Sequence, residues 1–175
     1  MQSMGGPSFF KEGSVVWDVA SSDKFEAIAE IIHRSGTFKK VPGLDLTQFT
    51  NKVIERELEQ STGFGHGIAV AHGRMACVEE CSIVLGVSHN GIEYGAIDGR
   101  PVHLLFIVAN HPDKHVDYLR ILSSLVSLVR DDSFRSQLLT CMHREEVEAK
   151  LHAAFGSAMQ AQQAQQENYQ RPRAV

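Results

Sequence analysis

Residues 61–74 read STGFGHGIAVAHGR. Three glycines among residues 61–67 predict a loop whose backbone enters conformations closed to other residues. The aliphatic residues 68–71 predict a short strand that delivers His72 to its far end, beside Gly73 and Arg74. A histidine so placed is expected to stand open to solvent. An unperturbed imidazole titrates at about pH 6.5, so near neutral pH it keeps an unshared nitrogen pair and is a nucleophile toward phosphorus. It can accept a phosphoryl group and release it again. That chemistry needs little beyond positioning and positive or donor groups around the transferred oxygens.

Working outward, Asp45 predicts the start of a helix with Gln48 in the capping-box position. Phe49, Val53, Ile54 and Leu58 form its buried stripe, and it ends near Gln60. Further upstream, residues 14–19 suit a short strand. Ser21 or Ser22 then caps a helix in which Phe25, Ile28, Ala29 and Ile32 recur until Gly36 ends the pattern. Downstream, residues 82–87 and 102–109 are apolar and short enough to be buried strands, with Asn90-Gly91 and Asp98-Gly99 as turns between them. After Pro112, the residues Val116, Leu119, Leu122, Leu125, Val126 and Val129 predict the longest helix of the chain. Helices over 133–142 and 145–155 follow. Strands interleaved with helices predict an α/β fold, a mixed sheet covered by helices. One domain over residues 14–157 is expected, after a loose leader at 1–13 and before a Gln/Ala-rich tail at 158–175 that is a helix extension or disordered.

The whole-chain balance narrows the classes of function. A net charge of -4 without clustered Lys or Arg argues against a nucleic-acid partner. With 43% hydrophobic and 22% charged residues, the composition is that of a globular domain. No apolar run approaches the roughly 20 residues of a membrane helix, and the first 13 residues lack the order of a secretory signal, so no membrane insertion and a cytoplasmic location are expected. Cys77, Cys81 and Cys141 fit a reducing compartment as small core residues.

The segment around His72 resembles the IIA domains of the fructose, mannitol and nitrogen-regulatory branches of the phosphotransferase system, in which a stretch of the form STGxGxGxAxPH ends in a phosphorylated histidine. The likeness continues through Arg56-Glu57, the stretch GAIDGRPVHLLFIVA and the histidine opening KHVDYLRIL, and spans roughly residues 14–155. It implies a fructose/mannitol IIA-like sandwich: a central mixed β-sheet flanked by helices on both faces, with the site on an edge loop. It implies phosphorylation of His72, at Nε2 by the family pattern, by a phospho-HPr-like histidine carrier. His115 and Arg56 would hold the phosphoryl oxygens with loop N–H groups from Gly65, His66 and Gly67. From the residues themselves, Arg74 is either a further cation at the site or a surface arginine, and Phe64 either a docking contact or a loop anchor turned inward. No cofactor is implied. The chain has no room for a IIB domain, which favours a standalone relay or regulatory protein over a sugar importer that passes phosphate to a separate IIB domain. Two departures stand out: Ala71 replaces the proline usual before the histidine, and His66 adds an imidazole to the glycine loop.

Bottom-up, His115 falls in the first turn after Pro112, where free backbone N–H groups favour an anion. Arg56 alternatively pairs with Glu55 or Glu59 on the helix surface. Asp98 is expected to bond its own turn backbone. A metal site built from His66, His72, Cys77, Cys81, His111 and His115 has poor spacing, since zinc knuckles use close pairs and HPDKH is not an HExxH helix.

Overall fold

The computed structural model describes residues 9–10 and 12–170. Residues 1–8 and 11 of the expected leader, and 171–175 of the tail, lie outside the described residues. The elements follow in the order β1 (Val15–Val16), α1 (Lys24–Arg34), α2 (Gly36–Lys39), α3 (Leu46–Glu59), β2 (Gly63–Gly65), β3 (Ile68–Arg74), β4 (Ser82–Ile92), β5 (Val102–Asn110), α4 (His115–Val129), α5 (Asp132–Thr140) and α6 (Arg144–Gln170). The strands form one sheet in the order β1-β4-β5-β3-β2. Pairings β1–β4 and β3–β5 are parallel, while β4–β5 and β2–β3 are antiparallel. The sheet is therefore mixed, as the sequence pattern predicts.

Successive strand residues face opposite sides of a sheet, and that alternation sorts the core into two halves. On one side Ala69, Ala71, Val84, Leu105 and Ile107 pack with Ile28, Ile31, Phe38, Phe49 and Val53 of α1–α3. On the other, Ile68, Val70, Ile83, Leu85, Phe106 and Val108 pack with Tyr118, Ile121, Leu125, Val147, Leu151 and Phe155 from α4 and α6. Each such aliphatic side chain, fully buried, contributes about 1.5–3 kcal/mol. Helices thus cover both faces of the sheet.

Helix starts follow their caps. The Asp45 carboxylate accepts from Gln48 N at 3.0 Å, as expected for α3. For α1 the cap is Asp23, accepting from the amides of Phe25 and Glu26, rather than Ser21 or Ser22; the Ser21 hydroxyl instead donates to Glu30. Gly36 opens α2 behind a Ser35 cap and is not merely a stop. Asn90-Gly91 makes no chain reversal. Strand β4 runs through it with a register shift between Val87 and Ile92, and Gly91, at φ 90°, supplies the conformation that such a bulge needs. Asp98-Gly99 is a turn, with Arg100 N donating to Asp98 Oδ1 at 3.0 Å. The longest helix is α6, at 27 residues, because the Gln/Ala segment continues it to Gln170. Among the described residues, no helix is long and apolar enough to cross a membrane.

Candidate functional site

His72 lies inside β3, opposite Val108 of β5. It is neither on an edge loop nor beyond the strand's end, because β3 continues to Arg74. The period of two that turns Ile68 and Val70 toward α4 turns His72 the same way. There it meets Tyr118, one turn into α4. The tyrosine Oη is 3.1 Å from His72 Nδ1, and the ring centroids are 4.8 Å apart. Tyr118 is only 6% exposed, and it covers part of the imidazole. His72 is half-buried as a result, which corrects the expectation of a ring open to water.

Three cations or donors join this pair. His115 precedes Tyr118 by three residues, which puts both on one helix face, with ring centroids 6.2 Å apart. Arg74 follows His72 by two residues on the same face of β3, and its Nη2 approaches His115 Nδ1 at 3.5 Å. Arg74 and His115 therefore lie side by side and face the same space. Arg56 arrives from the last turn of α3, where Nη1 donates to Gln60 O at 3.3 Å. Its charge acts on both the His72 and Tyr118 rings. Glu55 pairs with Lys52 at 3.7 Å instead. The N-cap of α4 is Lys114, with no side-chain cap bond, which leaves first-turn amides available to an anion.

The electrostatics follow from this packing. Burial, then the positive charges of Arg56 and Arg74 and to a lesser degree His115, lower the pKa of His72 from 6.5 to about 4, against the opposing pull of Glu57. The ring is therefore unprotonated at neutral pH. Burial raises the Tyr118 pKa, so its phenol keeps its proton and remains both donor and acceptor.

The glycine segment is a hairpin rather than a loop, with β2 pairing to β3 through Gly63–Ala69 and Gly65–Ile68. Gly65, His66 and Gly67 all have positive φ, of 85°, 56° and 77°, and they make the tight turn. His66 N donates to Asp98 Oδ2 at 2.8 Å, which secures that turn. From Ile68 to His72 the strand rises about 13 Å, so Phe64, Gly65, His66 and Gly67 sit away from the histidine. Their N–H groups are not placed to hold a phosphoryl group on it. The other end of the hairpin is near: Val70 N donates to Thr62 O at 3.2 Å. Phe64, 45% exposed between two buried glycines, projects outward from the hairpin edge.

Thr62 is itself anchored by Glu57, a carboxylate that is 2% exposed. Glu57 accepts from Thr62 N at 3.1 Å, from Thr62 Oγ1 at 2.6 Å and from Tyr94 Oη at 3.1 Å, with Lys24 Nζ at 3.4 Å. Sequence reasoning noted Glu57 only as a neighbour of Arg56 and missed Tyr118 altogether. Helical spacing from His115 and strand spacing to His72 were the available signals for the tyrosine. Among the described residues no three His, Cys, Asp or Glu side chains gather as a metal site, so His66, His72, Cys77, Cys81, His111 and His115 form no such cluster.

Comparison with known proteins adds three relatives. The chain is 36% identical over 95 residues to the fructose-specific EIIABC component of a phosphotransferase system from Bacillus subtilis, covering 54% of this chain and 15% of that protein. It is 30% identical over 114 residues to a nitrogen regulatory protein of Pseudomonas aeruginosa, covering 65% of this chain and 70% of that one. The crystal structure of the nitrogen regulatory protein IIA-Ntr from Neisseria meningitidis superposes with a TM-score of 0.73 at 28% identity, over 79% of this chain and 93% of that one. The sequence pattern of one family matches residues 8–153, most of the chain. Sheet order, helix placement and this match agree, and the chain belongs to the family described as the phosphoenolpyruvate-dependent sugar phosphotransferase system, EIIA 2.

Proposed function

We propose that this protein is a phosphohistidine carrier in which His72 takes a phosphoryl group from an HPr-like histidine phosphocarrier and passes it on or signals its presence. The observation that carries the reading is the half-buried, unprotonated imidazole with Arg56, Arg74 and His115 arranged about it. With Nδ1 engaged by Tyr118, Nε2 is the nitrogen left to attack. The attack forms a bond from Nε2 to phosphorus as the bond from phosphorus to the donor's imidazole breaks. One phosphoramidate replaces another, so the transfer is close to balanced and reversible. The guanidiniums and the His115 ring stabilise the equatorial oxygens in flight. The residues supply every group this exchange uses.

The relative of regulatory name and the structural neighbour IIA-Ntr support a relay or signalling role. The identity of 36% to a fructose-specific component supports a second reading, in which His72 hands its group to a separate IIB domain. Phe64, exposed on the hairpin, and Val116 and Leu119, exposed on α4, are apolar candidates for carrier docking.

Incubation with enzyme I, phosphoenolpyruvate and a histidine carrier is expected to give an acid-labile, base-stable adduct. His72→Gln should abolish it, and His115→Ala should slow its formation or shorten its life. An adduct that persists in His72→Gln would overturn the assignment. Binding of candidate partners to wild type, His72→Ala and His72→Asp separates the two readings. A partner that distinguishes the charge mimic from the alanine supports signalling, and phosphoryl transfer to a IIB domain supports import.

A further inference from the structure

We infer that Tyr118 is a positioning residue that sets the tautomer of His72, holding the ring proton on Nδ1 so that Nε2 presents its lone pair to phosphorus. The inference rests on the proposed phosphocarrier reading, but it concerns a side chain that the resemblance to the family does not assign. Of the helix start HVDYLRIL, only the histidine and the apolar positions matched, and Tyr118 falls between them.

A neutral imidazole carries one proton on one of two nitrogens, and the partner of each nitrogen decides which. In water the Nε2–H form prevails for a free histidine, and that form has no lone pair on the nitrogen that must attack. The protein therefore has to reverse an intrinsic preference. Two features of the site do so together. Tyr118 Oη lies 3.1 Å from Nδ1, a normal hydrogen-bond length, and the hydroxyl oxygen can accept from Nδ1–H. The positive charges of Arg56 and Arg74 act on the ring and disfavour a second proton on it, so with Nδ1–H held by Tyr118 the remaining nitrogen keeps its lone pair. Tyr118 is buried and so is held in place, and its ring lies against the imidazole with an interplanar angle of 36°, which fixes the direction of Nε2 as well as its protonation state.

A hydroxyl has one property that a carbonyl or carboxylate in this position lacks: it can also donate. As Nε2 bonds phosphorus, the ring gains positive charge, which the Nδ1–H···Oη bond disperses. If that proton then leaves for solvent, the phenol can turn and donate to the bare Nδ1. The same side chain thus serves the attacking ring and the neutral phosphohistidine. No redox partner or other co-reactant enters this sequence, since the phosphoryl group exchanges one ring nitrogen for another.

The test uses the full chain with ring-labelled histidine, read by long-range proton–nitrogen NMR at neutral pH. Wild-type His72 is expected to show a protonated Nδ1 and an unprotonated Nε2. In Tyr118→Phe the two nitrogens are expected to exchange character toward the Nε2–H form, while the His115 signals and the amide fingerprint stay in place. Phosphoryl transfer from the carrier should slow about tenfold in Tyr118→Phe, the scale of one hydrogen bond, with little change in carrier affinity. A wild-type ring protonated on Nε2, or a Tyr118→Phe ring with its tautomer unchanged, overturns the inference. Both readouts come from unphosphorylated protein. A chain that accepts no phosphoryl group at all would instead count against the proposed function.

Discussion

The low proton affinity of His72 can be broken into its causes experimentally. Its pKa falls from 6.5 to about 4, with burial as the largest cause and Arg56 second. Replacing Arg56 with Gln keeps a polar side chain at the end of α3 and removes only the charge. Because burial outweighs Arg56 in a total drop of about 2.5 pH units, the substitution is expected to recover less than half of it, roughly 0.5–1 unit, and to bring the midpoint toward 5. Chemical shifts of the His72 ring followed from pH 8 to 3 provide the assay. A base with a depressed pKa binds fewer protons in the native protein than in the unfolded chain between pH 4 and 6.5. Stability from this group is therefore fully present above about 6.5 and is lost as the pH falls toward 4. At about 1.36 kcal/mol per unit the drop would reach about 3.4 kcal/mol, which solvent screening at a half-buried ring reduces to roughly 1–2 kcal/mol. Urea melts at pH 7 and 4.5 should show that loss in wild type and little of it in His72→Gln. A wild-type midpoint near 6.5, or one unmoved by Arg56→Gln, would refute the idea that this packing and this charge act on the ring.

Other substitutions probe the scaffold. Glu57→Ala leaves Thr62 N without its acceptor and takes one of two partners from Tyr94 Oη, which keeps Thr62 Oγ1; it should cost about 2–4 kcal/mol in chemical denaturation and reduce phosphoryl acceptance more than Glu59→Ala does. Gly73→Ala puts a Cβ 2.9 Å from both Phe49 Cε2 and Val53 Cγ2; a loss of about 1–3 kcal/mol is expected, with broadened His72 resonances as α3 and β3 are pushed apart. Ending the chain after Gly156 removes the contacts of Gln162 with Ser123 (2.8 Å) and Gln166 with Arg120 (2.6 Å). These bonds are exposed, but Met159, which packs against the core half beneath α4, is lost with them, so thermal melting should register about 1–3 kcal/mol.

The main architecture was legible because its signals are local. Asp45 with Gln48, the apolar stripe from Phe49 to Val53 and the β-branched runs that became β4 and β5 each specify their element without tertiary help. The failures fall where one local signal admits two outcomes. Asn90-Gly91 has turn chemistry, yet Gly91 spends its positive φ on a bulge because β4 stays paired with β5 on both sides of it. The glycines of residues 61–67 were legible as special backbone, but not as an edge strand, since Gly63 and Gly65 carry no side chain to mark a face. In the Gln/Ala tail, composition left a helix extension and a disordered end both open, and helix propensity with the contacts of α6 to α4 carries the helix to Gln170.

The site itself was half legible for a physical reason. A motif can single out a residue, but a side chain's exposure is a property of what packs on it, and what packs on His72 comes from 46 residues away. That packing resolves an apparent conflict in the chemistry. Burial weakens the imidazole as a base and so lowers its intrinsic nucleophilicity, yet it also keeps the ring uncharged near neutral pH. On the proposed phosphocarrier reading the guanidiniums of Arg56 and Arg74 would act in both states: before transfer they repel the proton that would occupy the lone pair, and after it they would face a phosphoryl group whose negative charge they favour. One set of charges would thus disfavour the imidazolium and favour the proposed phosphoimidazole. Replacing either arginine should then raise proton affinity and lower phosphoryl affinity together, a paired change that a merely structural arginine would not produce.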